Sequence, residues 1–121
     1  MKRITFLAGL ATLSAAAVFF ALSPFASARS STAQATTVRV TAKEFKFVLS
    51  RRSAPHGKVI FKVTNRGVLK HDFKIAGHKT VALKHGKTAT LTVTLKKGRH
   101  PYVCTIDSHA KYGMKGVFKS T

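Results

Sequence analysis

The chain has 121 residues, with 22 Lys and Arg against three Asp and Glu, giving a formal charge of +19 at neutral pH. Its single cysteine excludes an intrachain disulfide, and the length left after an apolar N-terminal segment excludes more than one small domain. Basic residues are spread along the sequence and alternate with apolar ones, as in Lys58-Val59-Ile60-Phe61-Lys62-Val63. No helix-turn-helix, paired-cysteine finger or aromatic RNA-binding pattern accompanies them, which argues against nucleic acid as the partner.

In chain order, Lys2 and Arg3 precede an uncharged, mostly apolar stretch over residues 4–25, which Ala26-Ser27-Ala28 follows. A basic start, an apolar middle and a small-residue end predict a secretory signal peptide over residues 1–28, cleaved after Ala28. The apolar run is about 20 residues, so an uncleaved membrane tether through residues 4–25 is the alternative. Both readings place the remainder outside the cytoplasm, periplasmic or secreted. Residues 29–35, RSSTAQA, read as a polar linker to a domain over residues 36–121.

From Thr36 onward the hydrophobic period is two. Residues 36–42 (TTVRVTA) and 44–50 (EFKFVLS) alternate apolar with polar side chains as half-buried strands do. Pro55 and Gly57 mark a turn over residues 53–57, before a third strand at 58–65. Residues 71–77 (HDFKIAG) are a fourth candidate, and the β-branched run at 87–95 (KTATLTVTL) is a fifth. After a turn at 96–99, residues 100–106 form a sixth strand with Pro101 near its start, and 114–120 form the last. About seven short strands with regular turn signals and no helical period predict an all-β, antiparallel Greek-key β-sandwich.

The chemistry concentrates near the end of this sandwich. An unpaired cysteine in an exported protein is a bridge to another chain, a reactive thiol, a metal-bound thiolate or an inert buried side chain. Around Cys104 stand His109 and Met114 on the loop that follows the sixth strand, and His71 opens the fourth. A Greek-key sandwich brings a strand start beside a loop at the same end. Two imidazoles, a thiolate and a thioether are a soft set that suits a copper ion cycling between Cu(I) and Cu(II). A thiol nucleophile with a histidine base is disfavoured, because no orienting group or oxyanion device accompanies Cys104 and Met114 has no role in acyl transfer.

Val63-Thr64-Asn65-Arg66-Gly67 with His71-Asp72-Phe73, and Tyr102-Val103-Cys104 with His109, Met114 and Gly116, resemble the cupredoxins, the blue copper proteins of the plastocyanin and azurin type. The resemblance spans residues 36–119. It implies one copper ion per chain, with His71, Cys104 and His109 as equatorial ligands and Met114 as the axial one. It also implies a hydrogen bond between Asp72 and Thr105, the residues after the first histidine and after the cysteine, of the kind that orients ligands. Relatives often carry Pro-Gly before the loop histidine, where this chain has Asp107-Ser108. A carboxylate there is expected to favour Cu(II).

The functional expectation is a monomeric carrier of single electrons between extracytoplasmic redox partners, and not an enzyme. Alternatives are a copper delivery protein without electron transfer and a basic module for anionic cell-surface polymers or membranes. Val68, Leu69, Tyr112 and Gly113 are candidates for an apolar patch at the edge of His109, with lysines around it steering an acidic redox partner. His56, His78, His85 and His100 are read as ordinary turn and loop residues.

Overall fold

The computed structural model describes residues 9, 11–18, 20 and 33–121. The predicted cleavage site and most of the signal segment and linker therefore lie outside the described residues. Among the described residues, no helix is long and apolar enough to cross a membrane.

Residues 33–121 form a two-sheet β-sandwich. Nine strands run in the order β1 (Thr36–Lys43), β2 (Lys46–Leu49), β3 (Ser53–Ala54), β4 (Gly57–Asn65), β5 (Lys74–Ile75), β6 (His78–Lys79), β7 (Thr88–Leu95), β8 (Gly98–Val103) and β9 (Lys115–Ser120). One sheet has the order β2-β1-β4-β7 and the other β3-β9-β8-β5-β6. The alternation read in the sequence is the alternation of burial. Val38, Val40 and Ala42 of β1, and Val59, Phe61 and Val63 of β4, point inward while their Lys, Arg and Thr neighbours face water.

Between the sheets the core is aromatic. Phe61 meets Phe73 and Phe118, each with ring centroids 5.3 Å apart, and the Phe118 contact is edge-on at 80°. Phe47 adds edge contacts to Phe73 and Tyr102. Burying each such ring stabilises the sandwich by about 1.5–3 kcal/mol, with a further contribution from edge-to-face geometry. This packing makes the sandwich a rigid platform for whatever sits at its ends.

The predicted sandwich is present, with finer differences in pairing and strand length. The sheets are mixed, since β1 pairs with β4, and β3 with β9, in parallel. The short β3 falls within the predicted turn at residues 53–57, where Ser53 and Ala54 extend along the end of β9. The predicted strand at 71–77 narrows to β5, because His71 and Asp72 are diverted to the pole. His71 forms an isolated bridge with Leu83, and the Asp72 carboxylate binds Thr105. The predicted strand at 44–50 starts only at Lys46, leaving Glu44 and Phe45 in a turn that also faces the pole.

Candidate metal centre

His71, Cys104 and His109 converge at one end of the sandwich, where each offers a ligand atom within 4.8 Å of the others. All three side chains are buried. His71 Nδ1 lies 3.2 Å from His109 Nδ1, and Cys104 Sγ lies 3.6 Å from the same nitrogen. Met114 is fully buried and shares a small apolar cluster with Cys104 and Ala42, against Phe45, Phe47 and Ile106. The four residues singled out in the sequence are thus gathered at one pole.

His71 is delivered by a loop wound around Asn65. The Asn65 side chain is buried, and all of its bonds go to backbone. It donates to the carbonyls of Leu69 at 2.8 Å and Leu83 at 2.7 Å, and its Oδ1 accepts from Gly67 N–H at 2.8 Å. The Leu83 strip in turn pairs with His71, Leu83 N–H donating to the His71 carbonyl at 2.7 Å. An unpaired amide in such a place would carry its full desolvation cost, so Asn65 stabilises one loop shape in particular. This is the physical content of the Asn65, Gly67 and His71 spacing.

Cys104, His109 and Met114 sit on a loop held by its own main chain. Cys104 N–H donates to the Met114 carbonyl at 3.0 Å and Met114 N–H to the His109 carbonyl at 3.2 Å. A single 3-10 turn over His109–Tyr112 brings the two ends together, and Gly113 closes it in the left-handed region at φ 107°. That conformation costs a side-chain-bearing residue far more than glycine. Asp107 also has positive φ, at 46°, and it is exposed. Aspartate is among the few residues that tolerate this turn geometry.

The two loops are cross-linked by the bond the resemblance implies. Thr105 N–H donates to Asp72 Oδ1 at 2.6 Å, and the Thr105 hydroxyl donates to Asp72 Oδ2. This fixes the residue after Cys104 to the residue after His71. Lys79 stands 4.0 Å from the same carboxylate.

Two contributors were not singled out from sequence. Glu44 reaches the far side of His71, with Oε1 3.1 Å from Nε2, and accepts from Leu69 N–H at 2.7 Å. That backbone hydrogen bond is the main reason its carboxyl falls to about 2, with hydrogen bonds from its own backbone N–H and from the His71 ring adding to the effect. Phe45 packs between His109 and Tyr112, with centroids at 5.2 Å and 5.0 Å. A glutamate and a phenylalanine in an alternating strand pattern carry no signal for such roles. Burial pushes the Cys104 thiol up from its ordinary range, so without a metal it holds its proton.

The remaining histidines lie outside the cluster. His85 Nδ1 donates to the Gly67 carbonyl at 2.7 Å and His100 Nε2 to the Lys96 carbonyl at 2.7 Å, while His56 bonds the Thr121 backbone. Around the pole, Val68, Leu69 and Tyr112 are exposed, at 85%, 45% and 68%.

A mixed two-sheet sandwich with two histidines and one cysteine buried at one pole has the architecture of a cupredoxin. The family model described as "Cupredoxin-like domain" matches residues 10–118, and the chain belongs to that family. Among solved structures, the reduced auracyanin of the photosynthetic bacterium Roseiflexus castenholzii is similar at 19% identity and TM-score 0.64, over 71% of this chain and 97% of that one. Auracyanin A of Chloroflexus aurantiacus, a blue copper protein, is similar at 15% identity and TM-score 0.61, over 73% and 100%. Reduced rusticyanin is similar at 21% identity and TM-score 0.59, over 71% and 80%. No curated protein matches the sequence significantly.

Proposed function

We propose that this protein is a type 1 copper protein that carries single electrons between partners outside the cytoplasm. The observation that carries the reading is the convergence of three buried donors, His71, Cys104 and His109, within 4.8 Å of one another. The donor chemistry fits copper. Two imidazole nitrogens and a thiolate, with the Met114 thioether beside Cys104, are the ligand types of a blue-copper site. The family and its blue copper neighbours support the same reading.

His71, Cys104 and His109 would hold the ion, and Met114 would be its weak fourth donor. Bound copper supplies the one-electron change between Cu(I) and Cu(II). The chain's own contribution is to keep the donors still. Asn65 fixes the loop of His71, the Asp72–Thr105 bond fixes the cysteine strand, and the main-chain bonds of the last loop fix His109 and Met114. Fixed donors minimise rearrangement between oxidation states. Phe45 packs against the His109 ring and Tyr112 against Phe45, and the exposed Val68, Leu69 and Tyr112 offer an apolar landing area at that pole. The strongly basic chain would steer an acidic redox protein toward that area. The protein acts as a monomer, and no substrate is transformed.

Adding Cu(II) to the metal-free protein tests the reading. An intense blue thiolate-to-copper band and reversible one-electron voltammetry are expected, with the band abolished in Cys104→Ser. A colourless protein that binds Cu(I) without reversible voltammetry would instead indicate copper delivery.

A further inference from the structure

We propose that Glu44 is a positioning residue of this centre: its carboxylate sets the His71 ring with Nδ1 presented to the metal, and stands as a fixed negative charge behind that ligand. The inference rests on the copper reading above and deepens it.

The argument begins with the hydrogen-bonding capacity of the two groups. An ionised carboxylate only accepts, so the 3.1 Å contact between Glu44 Oε1 and His71 Nε2 requires the ring hydrogen on Nε2. A neutral imidazole has one such hydrogen. Nδ1 is then left with its lone pair directed into the cluster, 3.2 Å from His109 Nδ1. The choice of tautomer is made by Glu44, on the face of the ring away from the other ligands.

The carboxylate is itself held in place. Leu69 N–H donates to the same oxygen at 2.7 Å, and Gly67 leaves the space that the group occupies. A Cβ at position 67 would come within 2.5 Å of Glu44 Oε1 and 2.7 Å of Oε2. Glycine at 67 thus has a steric reason that reaches the ligand two steps away. The His71 side chain is fully buried and the Glu44 side chain is only 30% exposed, so water screens the pair less than it would a surface pair.

Charge gives the second consequence. The chain has three acidic residues among 22 basic ones, and all three border the centre. Glu44 touches His71, Asp72 follows it and holds Thr105, and Asp107 stands two residues before His109. Glu44 is the one in direct contact with a ligand ring. A carboxylate behind a ligating imidazole raises the basicity of that ligand, which favours the more highly charged ion. Glu44 therefore biases the centre toward Cu(II) and lowers its potential.

The test pairs two variants with one measurement made without metal. Nitrogen-15 NMR of the metal-free chain should find His71 in the Nε2–H tautomer in the wild type and in Glu44→Gln, whose amide oxygen still accepts. Glu44→Ala should mix the tautomers, and Gly67→Ala, which displaces the carboxylate while keeping its charge, should do the same. In the copper-loaded chain, Glu44→Gln should cut the preference for Cu(II) over Cu(I) about tenfold, a rise in potential of about 59 mV for one electron. The isosteric glutamine separates charge from packing, because a purely structural residue would leave the potential of this variant unmoved. An Nδ1–H tautomer in the wild type, or equal potentials in wild type and Glu44→Gln, would overturn the proposal. A wild-type chain that never turns blue would overturn the copper reading, while the metal-free tautomer would still decide whether Glu44 positions His71.

Discussion

Residues 65–71 owe much of their shape to side chains, whereas residues 104–114, apart from the tie of Thr105 to Asp72, owe theirs to main-chain hydrogen bonds. In the first segment Asn65 and Glu44 together satisfy or bind the backbone at residues 67, 69 and 83. In the second, the bonds run between the peptide groups of Cys104, Ile106, Ser108, His109, Ala110, Lys111, Gly113 and Met114. The first arrangement concentrates stability in a few side-chain atoms. The second spreads it over the chain and leaves its side chains free to be ligands. Single substitutions away from the ligands should therefore cost much in the first segment and little in the second.

The sharpest way to break this contrast is Asn65→Ala. It strands a buried N–H and leaves two carbonyls without their side-chain donor, so unfolding free energy of the metal-free protein should fall by about 3 kcal/mol. Ser108→Ala is the matching change in the other segment. Ser108 precedes the 3-10 turn without a side-chain capping bond, and its loss should stay within about 0.5 kcal/mol. Denaturant unfolding of both variants checks the pair, the midpoint moving at constant slope. Equal losses would show that the two segments are not built differently.

A second test concerns the ligand each segment contributes. Burial raises the Cys104 thiol, and the metal binds the thiolate, so ion uptake must expel a proton. Apparent copper affinity should rise about tenfold per pH unit between pH 7 and 8.5, and uptake in weak buffer should release the thiol proton. The sign for the metal-free fold is opposite. A thiol raised in the folded state stabilises it below the ordinary thiol range, and that contribution is lost as pH climbs through the raised value. Chemical unfolding of the metal-free protein should therefore show falling stability at alkaline pH, and Cys104→Ser should lack the part that begins in the ordinary thiol range, keeping the part at higher pH from Tyr102, which burial also raises.

The same contrast explains what the sequence made legible. Cys104, His109 and Met114 are close in the chain at regular spacing, and alternation in β1, β4 and β9 pointed to a sandwich whose loops would hold them. His71 was legible through Asn65 and Gly67. The supports of that segment were not, because Glu44 and Phe45 sit at what reads as the start of an alternating strand. They depart from the strand by turning toward the pole, which only tertiary packing decides. Parallel pairing of β1 with β4 was hidden for a similar reason, since a period of two reports which face is buried and not the direction of the neighbour.

Asp107 carries the smallest expected effect and separates charge from backbone. Its carboxylate is exposed, unlike that of Glu44, so water and salt screen its influence on the centre. Its φ of 46° gives it a second role as the turn residue that lets the chain double back to His109. Asparagine tolerates that geometry nearly as well, so Asp107→Asn removes the charge and keeps the turn. The potential should rise by less than in Glu44→Gln, and the rise should shrink further as salt is added. Asp107→Gly removes the charge and also the strain of a side chain in the left-handed region, about 1 kcal/mol. It should match Asp107→Asn in potential and exceed it in stability. Equal shifts from Asp107→Asn and Glu44→Gln would mean that contact with the ligand ring adds nothing to charge at this pole.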